Sequence, residues 1–82
     1  MAIKVDKNIN RIKAVLADKN RTNKWLAEQL GKDPVTVSKW CTNTTQPDLL
    51  TLSKISDLLH IDIRELLVSR NQPVQPLTKE VK

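Results

Sequence analysis

The chain is poor in residues that several common protein classes require. Its 82 residues include one glycine and two tryptophans, but neither phenylalanine nor tyrosine. A mostly β domain would use more aromatic residues and many more glycines in its turns, so this composition argues against sheets. The apolar residues are mainly Leu, Ile and Val, which suit a small helical bundle. The length corresponds to one domain with a modest core.

Cysteine and histidine occur once each, as Cys41 and His60. A single cysteine excludes a disulfide within the chain and fits a reducing cytoplasm, and one residue of each type cannot assemble a zinc site. No apolar run approaches the roughly 20 residues that cross a bilayer, and the N-terminal residues lack the apolar stretch of a signal peptide. We therefore expect a cytoplasmic protein with no membrane attachment, metal or cofactor.

The residue patterns of common catalytic sites are also missing. Ser38 has no basic partner at a suggestive spacing, and Cys41 is not followed by a basic residue or histidine that would activate its thiol. A single glycine cannot build a phosphate-binding loop. We therefore expect no enzymatic activity.

Positive charge is concentrated in the first half of the chain. The formal net charge is +5 at pH 7. Residues 1–45 contain nine Lys and Arg against four Asp and Glu, whereas residues 46–82 contain five of each. A basic half favours a polyanionic partner such as nucleic acid, although the same charge could simply keep the surface soluble.

The only glycine, Gly31, lies between two segments with helical spacing. Glycine accepts the left-handed backbone that ends a helix. Asp33 can cap the helix that follows, and Pro34 fits its first turn. Two short helices joined by so tight a turn are typical of a DNA-reading motif.

The apolar spacing predicts five short helices. The first covers about residues 7–19, with Asp6 as its N-cap and Ile9 on its buried face. The second begins after Thr22, and the third covers about residues 34–42. The residues at the stop positions tolerate a left-handed backbone; they are Asn20, Gly31, Asn43 and His60.

The second half of the chain carries two further helix starts. Asp48 caps a fourth helix over about residues 49–59, with Leu49 facing the core. Asp62 and Glu65 form a capping-box pattern that opens a short fifth helix ending near residue 68. Two prolines break the periodicity beyond it, so we expect a domain over residues 1–68 and an extended or disordered tail over residues 69–82.

Four segments, in this order and spacing, resemble the phage repressor/Cro-type (Xre-type) helix-turn-helix domain. They are Thr22-Asn23-x-x-Leu26-Ala27-Glu28-x-Leu30-Gly31, Thr36-Val37-Ser38-Lys39-Trp40, Pro47-Asp48-Leu49 and Ile61-x-Ile63-x-Glu65-Leu66-Leu67. The resemblance covers about residues 8–68 and implies an all-α, five-helix, lambda-repressor-like bundle. It also implies that the third helix lies in the major groove of DNA while the second crosses the backbone.

The resemblance assigns contacts with base edges to one face of the third helix, at Pro34, Val35, Thr36 and Lys39. It assigns a phosphate contact to Asn23 at the start of the second helix. Further phosphate candidates are Ser38, Asn43, Thr44 and Thr45. Arg21 and Lys32 stand where the family more often has apolar residues; they either add phosphate contacts or are simply solvated. Pro34 and Val35 stand where many relatives carry Gln, Arg or Ser, which shifts the expected specificity toward Lys39, Thr36, methyl contacts and DNA shape.

We predict different positions for the two tryptophans. The spacing of Trp40 from Val37, together with the resemblance, places it in the core beneath the third helix rather than stacked on a base. Trp25 has two interpretations: it covers the first or fourth helix, or it belongs to a surface that binds a partner.

The expected function is sequence-specific regulation of transcription through double-stranded DNA, as a repressor that occupies its operator. A homodimer would read a palindrome; the candidate residues for its interface are Ile63, Leu67, Val74 and Leu77. One alternative is an antitoxin or accessory regulatory subunit whose tail, residues 69–82, binds a partner protein. Another is a retained fold that no longer binds DNA, which the Pro34-Val35 pair motivates.

Overall fold

A computed structural model of the protein describes residues 8–69, which form a bundle of short helices. The elements in chain order are α1 (Ile12–Asp18), α2 (Asn23–Leu30), α3 (Pro34–Cys41), α4 (Leu49–Leu59) and a 3-10 turn (Ile63–Leu66). The prediction of an all-helical fold is confirmed, but the described residues form four α-helices and a 3-10 turn instead of five helices. Of the expected tail, residues 70–82 lie outside the described residues.

Both ends of the described chain pair with each other, and this pairing corrects two predicted helices. Val68 N donates to Ile9 O at 2.8 Å, and Arg11 N donates to Leu66 O at 2.8 Å. The chain is therefore extended at residue 67, and the predicted fifth helix ends as a single 3-10 turn. The same bonds hold residues 8–11 outside α1, so Ile9 is substantially exposed and does not lie on a buried helix face.

The starts of α1 and of the 3-10 turn are capped differently from the predictions. α1 begins after Arg11, which makes no side-chain capping bond; instead Asn10 Oδ1 accepts from Ile12 N at 3.1 Å. The predicted cap Asp6 lies outside the described residues. In the 3-10 turn, Asp62 Oδ1 accepts from the backbone N–H of Arg64 at 2.8 Å, two residues ahead, in place of the predicted capping box with Glu65.

Each element contributes one completely buried aliphatic side chain to a single core. These side chains are Ile12, Leu26, Val37, Ile55 and Leu66. The prediction that Trp40 is buried is confirmed, and Trp25 is half-buried and packs against the same core. Burial of apolar surface contributes roughly 25 cal/mol per Å², so these contacts are the main favourable contribution to folding. Among residues 8–69, no helix combines the length and apolar character needed to span a membrane.

The start of α4 differs from the prediction. Helical spacing predicts that Leu49 faces the core, but it is 73% exposed, and the neighbouring Leu50 is 67% exposed. The buried face of α4 begins one turn later, at Leu52, and continues through Ile55 and Leu59. Helical spacing alone placed Leu49 on this face, but within residues 8–69 no neighbouring element covers the first turn of α4.

Each of the four α-helices is followed by a residue with a left-handed backbone. The φ angles are 57° at Asn20, 66° at Gly31, 58° at Asn43 and 57° at His60, which confirms all four predicted stops. After each one, a backbone N–H donates five residues back along the chain, for example Lys32 N to Ala27 O at 2.9 Å. These bonds satisfy carbonyl groups that the helix end would otherwise leave without partners.

We expect the substitution Gly31→Ala to lower the free energy of unfolding by about 1 kcal/mol, because a side chain disfavours this left-handed backbone. An added Cβ would have no heavy atom within 4 Å, so steric overlap contributes nothing to the loss. Gly31→Asn should lower the free energy of unfolding by less than Gly31→Ala, since Asn tolerates this conformation. Denaturant unfolding measures both, with Gln29→Ala on the exposed surface of α2 as the control. Equal stability of Gly31→Ala and the wild type would contradict this explanation.

Candidate nucleic-acid interface

Helices α2 and α3 form a unit whose two starts are capped by side chains. Thr22 Oγ1 accepts from Trp25 N at 2.9 Å, and Asp33 Oδ1 accepts from Val35 N at 2.8 Å. Pro34 occupies the first turn of α3, as predicted. With Gly31 turning the chain between them, only residues 31–33 join the two helices, so their relative orientation is closely constrained.

Helix α3 has one face in the core and one face in solvent. Val37, Trp40 and Cys41 are buried. On the other side, Pro34, Val35 and Lys39 are exposed, and Thr36 is half-buried. Val35, 62% exposed, is a large apolar side chain without cover from the rest of the described chain. All four residues predicted to contact bases are therefore at least partly accessible on this helix.

The ammonium group of Lys39 is not neutralised by a carboxylate. Within residues 8–69 one ion pair is present. It joins Arg64 and Asp62, whose charged groups lie 3.1 Å apart, and does not involve Lys39. Lys39 follows Val35 by one helical turn, so both side chains project from the same face of α3. An unpaired cation beside an exposed methyl-bearing side chain is chemically suited to acceptor atoms and methyl groups on base edges.

The segment that follows α3 remains attached to its last turn. The backbone N–H groups of Thr44 and Thr45 both donate to Lys39 O, at 2.8 and 3.3 Å. Thr42 Oγ1 lies 2.8 Å from Thr44 Oγ1, and it also donates to carbonyl groups of α3. Ser38, Thr44 and Thr45 are exposed. The structure thus brings these predicted phosphate contacts close to the outer face of α3.

Asn43 is a correction to the predicted phosphate contacts. Its side chain is buried, and its Oδ1 accepts from Ile9 N at 3.0 Å and from Asn10 N at 2.9 Å. Its Nδ2 donates to Asn10 O at 3.2 Å. These bonds hold the amide inside the protein, so the Asn43 side chain is not available to a phosphate.

Asn10 is a structural residue that the sequence analysis missed. Its Nδ2 donates to Trp40 O at 2.9 Å and to Gln46 Oε1 at 2.6 Å, and its Oδ1 caps α1. Together with Asn43 and Gln46 it forms what we call the amide cluster. The cluster ties the first described residues to the end of α3. The signal for this role is an Asn two residues before the apolar helical stretch that starts at Ile12, nearer to the helix than the predicted cap Asp6.

Three further predicted phosphate contacts lie at separate positions around the unit of α2 and α3: Arg21, Lys32 and Asn23. The Arg21 guanidinium stacks over the Trp25 ring, 4.6 Å from its centroid, where a cation–π attraction holds it. Lys32 lies near Asp48, whose pKa is held below its usual value by hydrogen bonds from Thr51 and, to a smaller extent, by the charge of Lys32. Asn23, half-buried at the start of α2, accepts a hydrogen bond from the Cys41 thiol at 3.3 Å.

The titratable groups of the described chain offer no arrangement suited to a metal. Within residues 8–69, no group of three or more His, Cys, Asp and Glu side chains could hold a metal ion. The Cys41 thiol is buried, and this desolvation raises its pKa despite the charge of Lys13. The site therefore consists of hydrogen-bond donors, cations and methyl groups on and around α3.

Comparisons with known proteins identify the family and the fold. The model of the helix-turn-helix family matches residues 12–66. One similar solved structure is the crystal structure of a candidate DNA-binding protein from Bacteroides fragilis, whose sequence is 55% identical to this one. The match covers 73% of this chain and 97% of the other chain, and the two superpose with a TM-score of 0.73. The solution structure of the SOS-response transcriptional repressor LexA from Eubacterium rectale has the same fold, with a TM-score of 0.65 and a sequence identity of 18%. This match covers 87% of this chain and 76% of the other chain. No curated protein sequence matches significantly.

The amide cluster should contribute strongly to stability. We expect Asn10→Ala to lower the free energy of unfolding by roughly 2–3 kcal/mol, because it removes three side-chain hydrogen bonds, to Ile12 N, Trp40 O and Gln46 Oε1. The double variant Asn10→Ala/Asn43→Ala should lose less than the sum of the two single variants, because Asn43 holds the backbone of Asn10 and both side chains hydrogen-bond to Gln46, so each substitution weakens the remaining bonds of the other residue. Denaturant unfolding of the four proteins measures this, and strictly additive losses would show that the two amides act independently.

Proposed function

Because the chain belongs to the helix-turn-helix family of the phage repressor and Cro type, we propose that it regulates transcription by sequence-specific binding to double-stranded DNA through α3. The observation that carries the proposal is the outer face of α3, where accessible Pro34, Val35, Thr36 and Lys39 lie over a rigidly packed inner face. In this arrangement α3 enters the major groove, and α2 crosses the sugar–phosphate backbone.

Base recognition then depends mainly on two kinds of contact. The Lys39 ammonium donates to acceptor atoms of a guanine, and the Val35 side chain and the Thr36 methyl group touch a thymine methyl group. The Thr36 hydroxyl can hydrogen-bond to a base edge, whereas Pro34 offers only apolar contact. Because two of the four positions are poor hydrogen-bonding residues, the shape of the DNA contributes to specificity as well.

Phosphate contacts on both sides of the groove fix the position of α3. Asn23 and the start of α2 hold one phosphate, since a helix N-terminus attracts anions. Ser38, Thr44 and Thr45 hold another, next to the last turn of α3. Arg21 and Lys32 add positive charge at the periphery, which strengthens binding to any duplex without adding sequence information.

We further propose that the protein is a cytoplasmic repressor that acts as a homodimer on a palindromic operator. Two copies would double the small contact area of one recognition helix and read half-sites roughly 34 Å apart. Leu67 is partly exposed and Ile63 half-buried, so both are accessible to a second copy. The other two candidate interface residues, Val74 and Leu77, lie outside the described residues. So does most of the tail, residues 69–82, which the alternative partner-binding role requires.

Selection of bound duplexes from a random DNA pool tests the proposal. The full chain is used at near-physiological salt, since affinities at low salt exaggerate non-specific binding. The proposal predicts enrichment of a palindrome with two equivalent half-sites. Recovery of DNA without any enriched sequence would contradict it and would leave only electrostatic attraction to the backbone.

We expect Lys39→Ala to weaken binding to the selected duplex by about 1–3 kcal/mol and to relax the preference at one base pair. Binding to a scrambled duplex should change much less. Lys54→Ala on α4 removes the same charge away from the proposed groove and serves as the control. Fluorescence anisotropy at several salt concentrations measures all of these affinities. An equal loss on both duplexes, with a reduced salt dependence, would instead assign Lys39 to a phosphate.

A further inference from the structure

The start of α2 and the end of α3 are joined by one side-chain hydrogen bond. Cys41, the last residue of α3, donates from Sγ to Oδ1 of Asn23, the first residue of α2, at 3.3 Å. Cys41 is 7% exposed, whereas Asn23 is half-buried and reaches solvent. The bond therefore runs from the interior to a side chain at the edge of the proposed interface.

This bond determines which end of the Asn23 amide faces outward. An asparagine side chain has an oxygen that only accepts hydrogen bonds and an NH₂ group that only donates them. Phosphate oxygens of DNA only accept, so a flipped amide would present oxygen to oxygen and repel the backbone. Because the thiol holds Oδ1 on the inner side, the Nδ2 group is left on the outer side with its hydrogens available.

The thiol can serve this role because it keeps its proton. Burial raises the pKa of Cys41, although the positive charge of Lys13 acts in the opposite direction. A thiolate would have no hydrogen to donate and would favour the opposite amide orientation. At neutral pH the Cys41 side chain is thus a small, buried donor that matches the Asn23 oxygen.

From this geometry we infer that Cys41 is a positioning residue for DNA binding, whose thiol orients the Asn23 amide so that Nδ2 donates to a backbone phosphate. The inference rests on the proposed function and goes beyond it, since Cys41 itself does not touch DNA. The same bond links the phosphate-contacting end of α2 to the helix in the major groove, so the two contacts are held at a fixed separation.

Two substitutions at position 41 separate the donor from the packing. Cys41→Ala removes the donor, whereas Cys41→Ser keeps a hydrogen-bond donor in nearly the same volume. With the full chain and the selected duplex, Cys41→Ala should raise the Kd about two- to tenfold, as expected for loss of one modest hydrogen bond. Cys41→Ser should bind at least twofold more tightly than Cys41→Ala. Denaturant unfolding, measured in parallel, confirms that each variant is fully folded in the binding assay.

The Asn23→Ala background shows whether the effect passes through Asn23. Asn23→Ala alone should weaken binding, and adding Cys41→Ala to it should cause no further loss. Phosphate-ethylation interference provides a readout that a purely packing role would not change. Cys41→Ala should lose interference at the Asn23 phosphate in each half-site and retain it elsewhere.

Three results would overturn the inference. One is an unchanged Kd for Cys41→Ala together with an intact interference pattern, and another is a Cys41→Ala effect that persists fully without Asn23. The third is an Asn23→Ala variant that binds as tightly as the wild type. Failure of the proposed function is distinguishable, because the wild-type protein itself would then select no DNA sequence.

Discussion

A residue with a left-handed backbone follows each α-helix within one or two residues and turns the chain out of the helix, and the rest of the structure depends on these turns. Asn20, Gly31, Asn43 and His60 adopt a left-handed backbone at these four points. Each allows a following N–H to bond five residues back, which closes the helix end and starts the next segment in a new direction. Helices of 7 to 11 residues, too short to be stable alone, can then bury their apolar faces in one core.

The left-handed residue after α3 also connects the fold to the proposed function. At Asn43 the turn places the side-chain amide inside the protein, where it joins Asn10 and Gln46. The residues beside it, Thr44 and Thr45, stay outside and remain bonded to Lys39 O. A buried polar cluster with satisfied bonds therefore holds a solvent-facing segment next to α3. Preorganisation of this kind reduces the entropy that DNA binding would otherwise lose.

Local signals in the sequence predicted most of the helix boundaries. Caps at Thr22, Asp33 and Asp48 and stops at Gly31 and His60 depend on residues within one turn, so a single sequence reveals them. The start of α1 and the predicted fifth helix depend on a different kind of information. Residues 9–11 and 66–68 pair across more than fifty intervening positions, and no local pattern reports that pairing.

The same distinction applies to the interface. The exposed face of α3 follows from helical periodicity, since Val37 and Trp40 are the residues that a core would select. Asn43 met the local criterion for a polar loop residue, but its long-range bonds to Ile9 and Asn10 turn it inward. The hydrogen bond between Asn23 and Cys41 likewise needs three-dimensional coordinates, because the sequence gives no reason to link the start of one helix with the end of another.

An NMR titration of the full, ¹⁵N-labelled chain with its selected duplex at near-physiological salt shows which face of the protein meets DNA. If α3 reads a DNA sequence, the largest amide shift changes will lie at Asn23 and along residues 33–45, and a scrambled duplex of equal length will produce much smaller ones. Shift changes concentrated on α4 and residues 61–67 instead, or equal changes with both duplexes, would contradict the claim that α3 reads a DNA sequence.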